Sequence, residues 1–286
     1  MKGRNPQPLL EVRGLTKHYP RPGGWLAPAA PALRAVDDVS FDIEPAKTLA
    51  LVGESGSGKT TLAKAVVRLI EPNAGAILFN GEDLLALGPR EMRLRRRDIQ
   101  IVFQDPYASL NPRLKVIDIV SEPLENFSLG MSRLEQRERA LALLAKVQLP
   151  PELAQRYPHE LSGGQRQRVA IARALAPQPR LIVCDEPVSA LDVTVQAQVI
   201  HLLMDLQAEL GVAYLFVTHN LAVVRQMAHQ VAVMRHGRIV ETNDCDALFA
   251  QPRHPYTRAL LAASVPLSRP GRANFQLPED QPALRA

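Results

Sequence analysis

The chain has 286 residues, 46% hydrophobic and 22% charged content, and a formal net charge of +5, a composition that fits a soluble globular protein of one large domain or two modest ones. No apolar stretch reaches eighteen residues, which excludes a membrane-spanning helix, and Met1-Lys2-Gly3-Arg4-Asn5-Pro6 lacks the apolar core of a secretory signal, so a cytosolic setting is expected. The two cysteines, Cys184 and Cys245, have neither metal-ligand spacing nor a disulfide framework, and Cys184 sits in an apolar run as a small buried hydrophobe.

In chain order, Leu9-Leu10-Glu11-Val12 opens a short strand and turn ending at Tyr19. Residues 20–31 form a Pro/Gly/Ala-rich loop without strand or helix period. Val39-Ser40-Phe41-Asp42-Ile43 alternates apolar and polar side chains and predicts a second strand. Leu49-Ala50-Leu51-Val52 is wholly apolar, as in a strand buried on both faces. It runs into Gly53-Glu54-Ser55-Gly56-Ser57-Gly58-Lys59-Thr60, which matches the phosphate-loop pattern G-x-x-x-x-G-K-[ST]. Residues 61–70 follow as a helix, with Leu62, Val66 and Leu69 at helical spacing. Such a loop needs a strand before it and a helix after it. Its glycines let the backbone curl until several N–H groups face inward, and the helix N-terminus adds partial positive charge there. Lys59 offers a full charge to the β- and γ-phosphates of a nucleotide, and the Thr60 hydroxyl is placed for Mg²⁺. The competing reading, an accidental glycine loop with a solvated lysine, does not account for these flanks.

Ala76-Ile77-Leu78-Phe79-Asn80-Gly81 predicts a strand and turn, and residues 99–103 a short strand with Gln104 just past its end. The basic run Arg93-Leu94-Arg95-Arg96-Arg97 lies between Glu91 and Asp98 and has no interleaved aromatics. A solvated helix face is its leading reading, contact with a membrane-associated partner the next, and a nucleic-acid groove the last. Residues 105–176 are mainly helical. Ser132-Arg133-Leu134-Glu135 is a capping box opening a helix with Leu134, Leu141 and Leu144 on one face, and Pro150-Pro151 stops it. Another helix runs from near Gly164 to Ala176. Leu181-Ile182-Val183-Cys184 is a second buried strand. Residues 194–210 form an amphipathic helix with Val195, Val199, Leu202, Leu206 and Leu210 on one face and Gly211 as its cap. Residues 212–217 are again a buried strand, followed closely by His219. Val231-Ala232-Val233-Met234 and Arg238-Ile239-Val240 pair as a hairpin about His236-Gly237. From Pro266 onward the chain is rich in Pro, Arg and polar residues and is expected to be loosely ordered. Strands alternating with helices around a phosphate loop predict an α/β fold. Its sheet is mainly parallel, with helices on both faces and nucleotide at the carboxyl ends of the strands. Residues 105–176 form an inserted helical subdomain.

Asp185 and Glu186 place two carboxylates at the end of the 181–184 strand. Asp185 can hold Mg²⁺ directly or through water, and Glu186 can polarise an attacking water as general base. Paired acids that merely end a strand are the bland alternative, which the upstream phosphate loop outweighs. Gln104 carries both donor and acceptor and can contact either Mg²⁺ or that water. His219 can contact the γ-phosphate, although taken alone it is more often a structural histidine. Leu161-Ser162-Gly163-Gly164-Gln165 opens a helix that Ser162 can cap, giving a second anion-receptive start. Two such sites in one chain suggest that two chains share a nucleotide.

With these residues in hand, the chain resembles the ATP-binding subunit of ABC transporters, in motif order and spacing across roughly residues 9–245. The resemblance makes Gly53, Glu54, Ser55, Gly56, Ser57, Gly58, Lys59, Thr60 and Thr61 the Walker A region and Gln104 the Q-loop glutamine. Leu161 to Gln165 become the signature, Leu181 to Asp185 Walker B, and Glu186 its general base. Ser189-Ala190-Leu191-Asp192 becomes the D-loop, His219 the switch histidine, and Tyr19 the ring that stacks on adenine. It implies ATP and Mg²⁺ as cofactors, with an antiparallel β subdomain beside the parallel core. It also implies a head-to-tail dimer with a second ATPase subunit, self or paralogue. Two transmembrane permease subunits, an extracytoplasmic solute-binding protein that acts indirectly, and a peripheral place on the cytoplasmic face of the inner membrane complete the expectation, with no nucleic acid. Gln104-Asp105-Pro106-Tyr107-Ala108-Ser109-Leu110-Asn111-Pro112-Arg113 and His254-Pro255-Tyr256-Thr257-Arg258-Ala259-Leu260-Leu261 are similar to segments of oligopeptide and dipeptide importers. Importers of nickel and of glutathione share that subfamily; a soluble non-transport ABC ATPase is the remaining alternative. Some relatives carry a C-terminal cysteine cluster that binds an iron–sulfur centre, whereas here Cys245 stands alone. The expected organisation is an ATPase domain over residues 9–250 and a C-terminal extension over 251–286.

Overall fold

The computed structural model describes residues 7–20, 32–127 and 130–263; nearly all of the 20–31 loop and the tail from Pro266 lie outside them. Chain order begins β1 (Leu10–Tyr19), β2 (Leu33–Ile43), β3 (Thr48–Val52), α1 (Lys59–Val66), β4 (Ala74–Phe79), β5 (Glu82–Asp83), α2 (Pro89–Arg95) and β6 (Ile99–Val102). Helices α3 (Pro106–Ser109), α4 (Val116–Asn126), α5 (Arg133–Lys146) and α6 (Gly163–Leu175) follow with no strand between them. The chain then returns through β7 (Leu181–Asp185), α7 (Val193–Leu210), β8 (Ala213–Val217), α8 (Leu221–Met227), β9 (Gln230–Arg235), β10 (Arg238–Asp244), α9 (Cys245–Ala250) and α10 (Pro255–Ala263).

One sheet is antiparallel, in the order β2-β1-β4-β5. The other, β10-β9-β3-β8-β7-β6, is parallel except at the β9–β10 hairpin. Alternation along the parallel strands divides the core. Leu49, Leu51, Val183 and Leu215 join the cluster containing α1 and the antiparallel sheet. Ile182, Cys184, Tyr214 and Phe216 face the cluster built from α4 to α7, and Ala50, Val52, Val231 and Val233 pack under α8, α9 and α10. Neither face meets water, so these strands are unbroken apolar runs. The tyrosine among them is satisfied, because the Tyr214 hydroxyl donates to the Leu203 carbonyl at 3.0 Å. Cys184 is fully buried and its thiol is pushed far up by burial, so it packs as a small hydrophobe.

Helix faces correct several expectations. α1 stops at Val66, and Leu69 is 49% exposed. Arg68 turns left-handed at φ 52° and donates to the carbonyls of Leu84 and Leu87, which ends the helix. The Ser132–Glu135 capping box forms, but the core stripe of α5 is Ala140, Leu143 and Leu144, while Leu134 and Leu141 face out. On α7 the buried face is Val199, Ile200, Leu202, Leu203 and Leu206; Leu210 is exposed, and Gly211 closes the helix at φ 65°. β1 and β2 run longer than their apolar patterns because backbone pairing extends to Tyr19 and Leu33. The basic run is tied to the chain's own groups: Arg93 to the Asn126 carbonyl, Arg95 to Glu82 and Asp98, Arg96 to the Arg68 carbonyl, and Arg97 to the Pro177 carbonyl. No helix among the described residues is long and apolar enough to cross a membrane.

Candidate functional site

The phosphate-type loop joins β3 to α1 at the carboxyl end of the parallel sheet. Close packing explains two of its three glycines, and Gly56, in open space, is left-handed at φ 79°. A Cβ on Gly53 would lie 2.1 Å from the Met234 carbonyl oxygen, and one on Gly58 2.0 Å from that of Ala35. The hairpin turn at His236-Gly237 clamps the loop, with the Gly237 N–H donating to the Ser57 carbonyl at 2.9 Å. Lys59 is only 4% exposed. Its ammonium lies inside the loop, donating to the carbonyls of Gly53 (2.9 Å) and Glu54 (2.8 Å) and to Ser57 Oγ (3.4 Å). Burial draws its pKa below the ordinary lysine value, against the pull of the Glu186, Asp185 and Glu54 carboxylates.

Thr60, next in the helix, donates its hydroxyl to Asp185 Oδ1 at 2.9 Å. Burial raises the Asp185 carboxyl above the usual range; the Thr60 hydrogen bond, Lys64 and Lys59 work against that rise, and Glu186 adds to it. Glu186 turns left-handed at φ 49°, with its N–H held by the Val217 carbonyl at 3.0 Å. One of its oxygens, Oε2, gathers two groups from separate loops: Gln104 Nε2 and His219 Nδ1, each at 3.3 Å. A cleft of about 450 Å³ is lined by Ser55, Gly56, Gly58, Lys59, Thr60 and Thr61 from the loop, by Gln104 and Glu186, and by Tyr19; Asp185 and His219 are not in this lining but contact it through Thr60 and Glu186.

The same cleft is walled by residues that the sequence reading missed: Leu33, Arg34 and Ala35 of β2, and the turn residues His236 and Gly237. The turn was legible as a hairpin, but its place beside the loop depends on the parallel pairing of β3 with β9. Arg34 and Ala35 carry no local signal.

Ser162, Gly163, Gly164, Gln165 and Asp192 do not line this cleft. The first four open α6, where Ser162 Oγ accepts the Gln165 N–H at 3.2 Å and Gln165 Oε1 accepts the Ser162 N–H at 2.9 Å. Asp192 caps α7 through the Val195 N–H at 2.9 Å. The two helix starts touch: a Cβ on Gly164 would meet Val195 Cγ1 at 2.5 Å.

The donor set of the cleft suits a polyphosphate. It joins a buried ammonium, the unpaired first N–H groups of a helix, and a hydroxyl beside a carboxylate. Among the described residues no group of three or more His, Cys, Asp or Glu side chains forms a cage for a metal ion. Thr60, Asp185 and Gln104 offer oxygen donors of the kind that would hold Mg²⁺.

The family described as "ABC transporter" matches residues 36–189, and that described as "Oligopeptide/dipeptide transporter, C-terminal region" matches residues 240–286. The chain is 56% identical over 270 residues to the probable peptide ABC transporter ATP-binding protein y4tS of Sinorhizobium fredii, covering 94% of this chain and 76% of that protein. It is 50% identical over 280 residues to the glutathione import ATP-binding protein GsiA of Escherichia coli (strain K12), covering 97% of this chain but 45% of GsiA. Among solved structures, the dimeric post-hydrolysis state of the ATP-binding cassette MJ0796 bound to ADP and Pi superposes with a TM-score of 0.73 at 32% identity, covering 82% of this chain and 98% of the other.

Proposed function

This chain belongs to the ABC transporter ATPase family, and from that premise we propose that it is the energy-coupling subunit of an importer for oligopeptides or dipeptides. The observation that carries the hydrolytic part is the convergence of Gln104 and His219 on one oxygen of Glu186, beside the Thr60–Asp185 pair. In this reading Lys59 and the first N–H groups of α1 hold the phosphates of ATP, and Tyr19 stacks on the adenine. Thr60, Asp185 and Gln104 hold Mg²⁺, which when bound neutralises charge on the phosphate oxygens. Glu186 takes the proton of the attacking water. Its backbone is pinned to Val217, and Gln104 and His219 fix its carboxylate. Proton acceptance at a positioned oxygen is worth about 10²–10⁴-fold in rate.

Ser162, Gly163, Gly164, Gln165 and Asp192, which lie away from the cleft, face the nucleotide of a second ATPase subunit packed head to tail. The dimeric state of MJ0796 supports this arrangement. Two permease subunits complete the transporter, with a solute-binding protein acting indirectly, and the chain sits peripherally on the cytoplasmic face of the membrane. Identity to GsiA favours glutathione as a second reading, and glutathione is itself a short peptide.

The test is Glu186→Gln, which keeps the shape and removes the base. Phosphate release by the purified chain with Mg²⁺ and ATP should fall about 10²-fold or more, while ATP binding stays near wild type. Near-normal turnover removes Glu186 from this role.

A further inference from the structure

The C-terminal segment reaches the phosphate loop through one side chain. The Tyr256 hydroxyl accepts a hydrogen bond from the Glu54 backbone N–H at 3.0 Å. The carbonyl of that same Glu54 is one of the acceptors that hold the Lys59 ammonium. A continuous line therefore runs from α10 through one loop residue to the lysine. Tyr256 is itself firmly held. It is 7% exposed and packs with Ala50, Val52 and Leu248. The Arg235 guanidinium lies over its ring at 4.7 Å. The stretch ahead of it is anchored by Glu241, whose two oxygens accept the N–H groups of Arg253 (2.8 Å) and His254 (2.9 Å), and His254 Nδ1 accepts the Tyr256 N–H at 3.1 Å.

We infer that Tyr256 is a positioning residue for ATP binding: its phenol oxygen holds the first turn of the phosphate loop, so nucleotide affinity depends on the docked C-terminal segment. This rests on the reading of the loop as an ATP site. Tyr256 touches no reacting atom, so its effect falls on binding and not on the chemical step. Because coupling between two sites is reciprocal, nucleotide in the loop also steadies α10.

The experiment uses the full chain and the variant Tyr256→Phe, which keeps the packing and leaves the Glu54 N–H without its acceptor. Loss of one such bond predicts an ATP dissociation constant raised about three- to tenfold, read with a fluorescent ATP analogue, and kcat at saturating ATP within about twofold. In nucleotide-free protein, amide exchange at Glu54 should quicken, and exchange across residues 255–263 should quicken modestly without reaching the rate of an unfolded segment. In the wild-type chain, added nucleotide should slow exchange across 255–263, a readout that needs no variant. Unchanged ATP affinity and unchanged Glu54 exchange in a folded Tyr256→Phe chain overturn the inference, as does α10 exchange indifferent to bound nucleotide. A wild-type chain that binds no nucleotide sinks the ATP reading instead, and Glu54 exchange still decides the Tyr256 contact.

Discussion

Lys59 is a buried cation whose ordinary tendency to lose its charge on burial is opposed by three carboxylates around the cleft. Its ammonium donates to two carbonyl oxygens and one hydroxyl inside the loop. Lys59→Ala removes the one full positive charge in the loop, and charge-assisted contacts to phosphate are about twice as strong as neutral ones. ATP affinity should fall at least about tenfold in a direct titration; affinity equal to wild type would show that this loop is not the site. Lys59 and Thr60 were legible because they close the G-x-x-x-x-G-K-[ST] pattern between an apolar run and a helix, and Asp185 and Glu186 because they stand at the end of a strand that its own apolar run announces. His236 and Gly237 were not, since a strand pairing across more than a hundred residues brings them to the cleft, and Arg34 and Ala35 carry no local signal. The left-handed turn at Glu186 also has no mark in its residue type, and the fold imposes it through Val217.

Two helices begin with the same device, which allows capping to be separated from function. Ser132 with Glu135 opens α5, and Ser162 with Gln165 opens α6, each pair exchanging reciprocal hydrogen bonds. Ser132→Ala and Ser162→Ala should each cost about 1 kcal/mol in denaturant unfolding. Only Ser162→Ala should also lower ATP turnover in the assembled protein. Equal turnover by the two variants would leave Ser162 as a cap and nothing more. Elements were more legible than their faces. In α5 two overlapping stripes compete, and the core takes the one with Ala140, Leu143 and Leu144 and leaves Leu134 and Leu141 outside. In α1 the apolar spacing ran on to Leu69, but the guanidinium of Arg68 found carbonyls outside the helix and turned the chain away. Buried strands, with both faces covered, left no such ambiguity.

For the whole molecule, the cleft and the α6 start lie apart in one chain, so hydrolysis is expected to need two. A Cβ on Gly163 would lie 3.3 Å from Leu191 Cδ2, a tight contact with the end of a flexible side chain that a small shift of the leucine relieves, so Gly163→Asp adds a negative charge and the fold is expected to survive it. That charge belongs against the phosphates of a second subunit, where repulsion opposes closure. The Gly163→Asp chain should bind ATP as wild type does and lose at least about tenfold in turnover. In a homodimer, mixing it with Lys59→Ala chains should restore one intact site and part of the rate. Wild-type turnover by Gly163→Asp alone rejects the shared site. The strand order has a further consequence, for biosynthesis. β3, which delivers the phosphate loop, pairs only with β8 and β9. At about 5–20 residues per second on the ribosome, roughly 10–35 s separate the emergence of residue 60 from that of residue 235. Throughout that interval the nascent chain carries the loop's sequence without the sheet that shapes it. ATP therefore cannot template the early folding of this protein; it can only stabilise, by mass action, a sheet that has already closed.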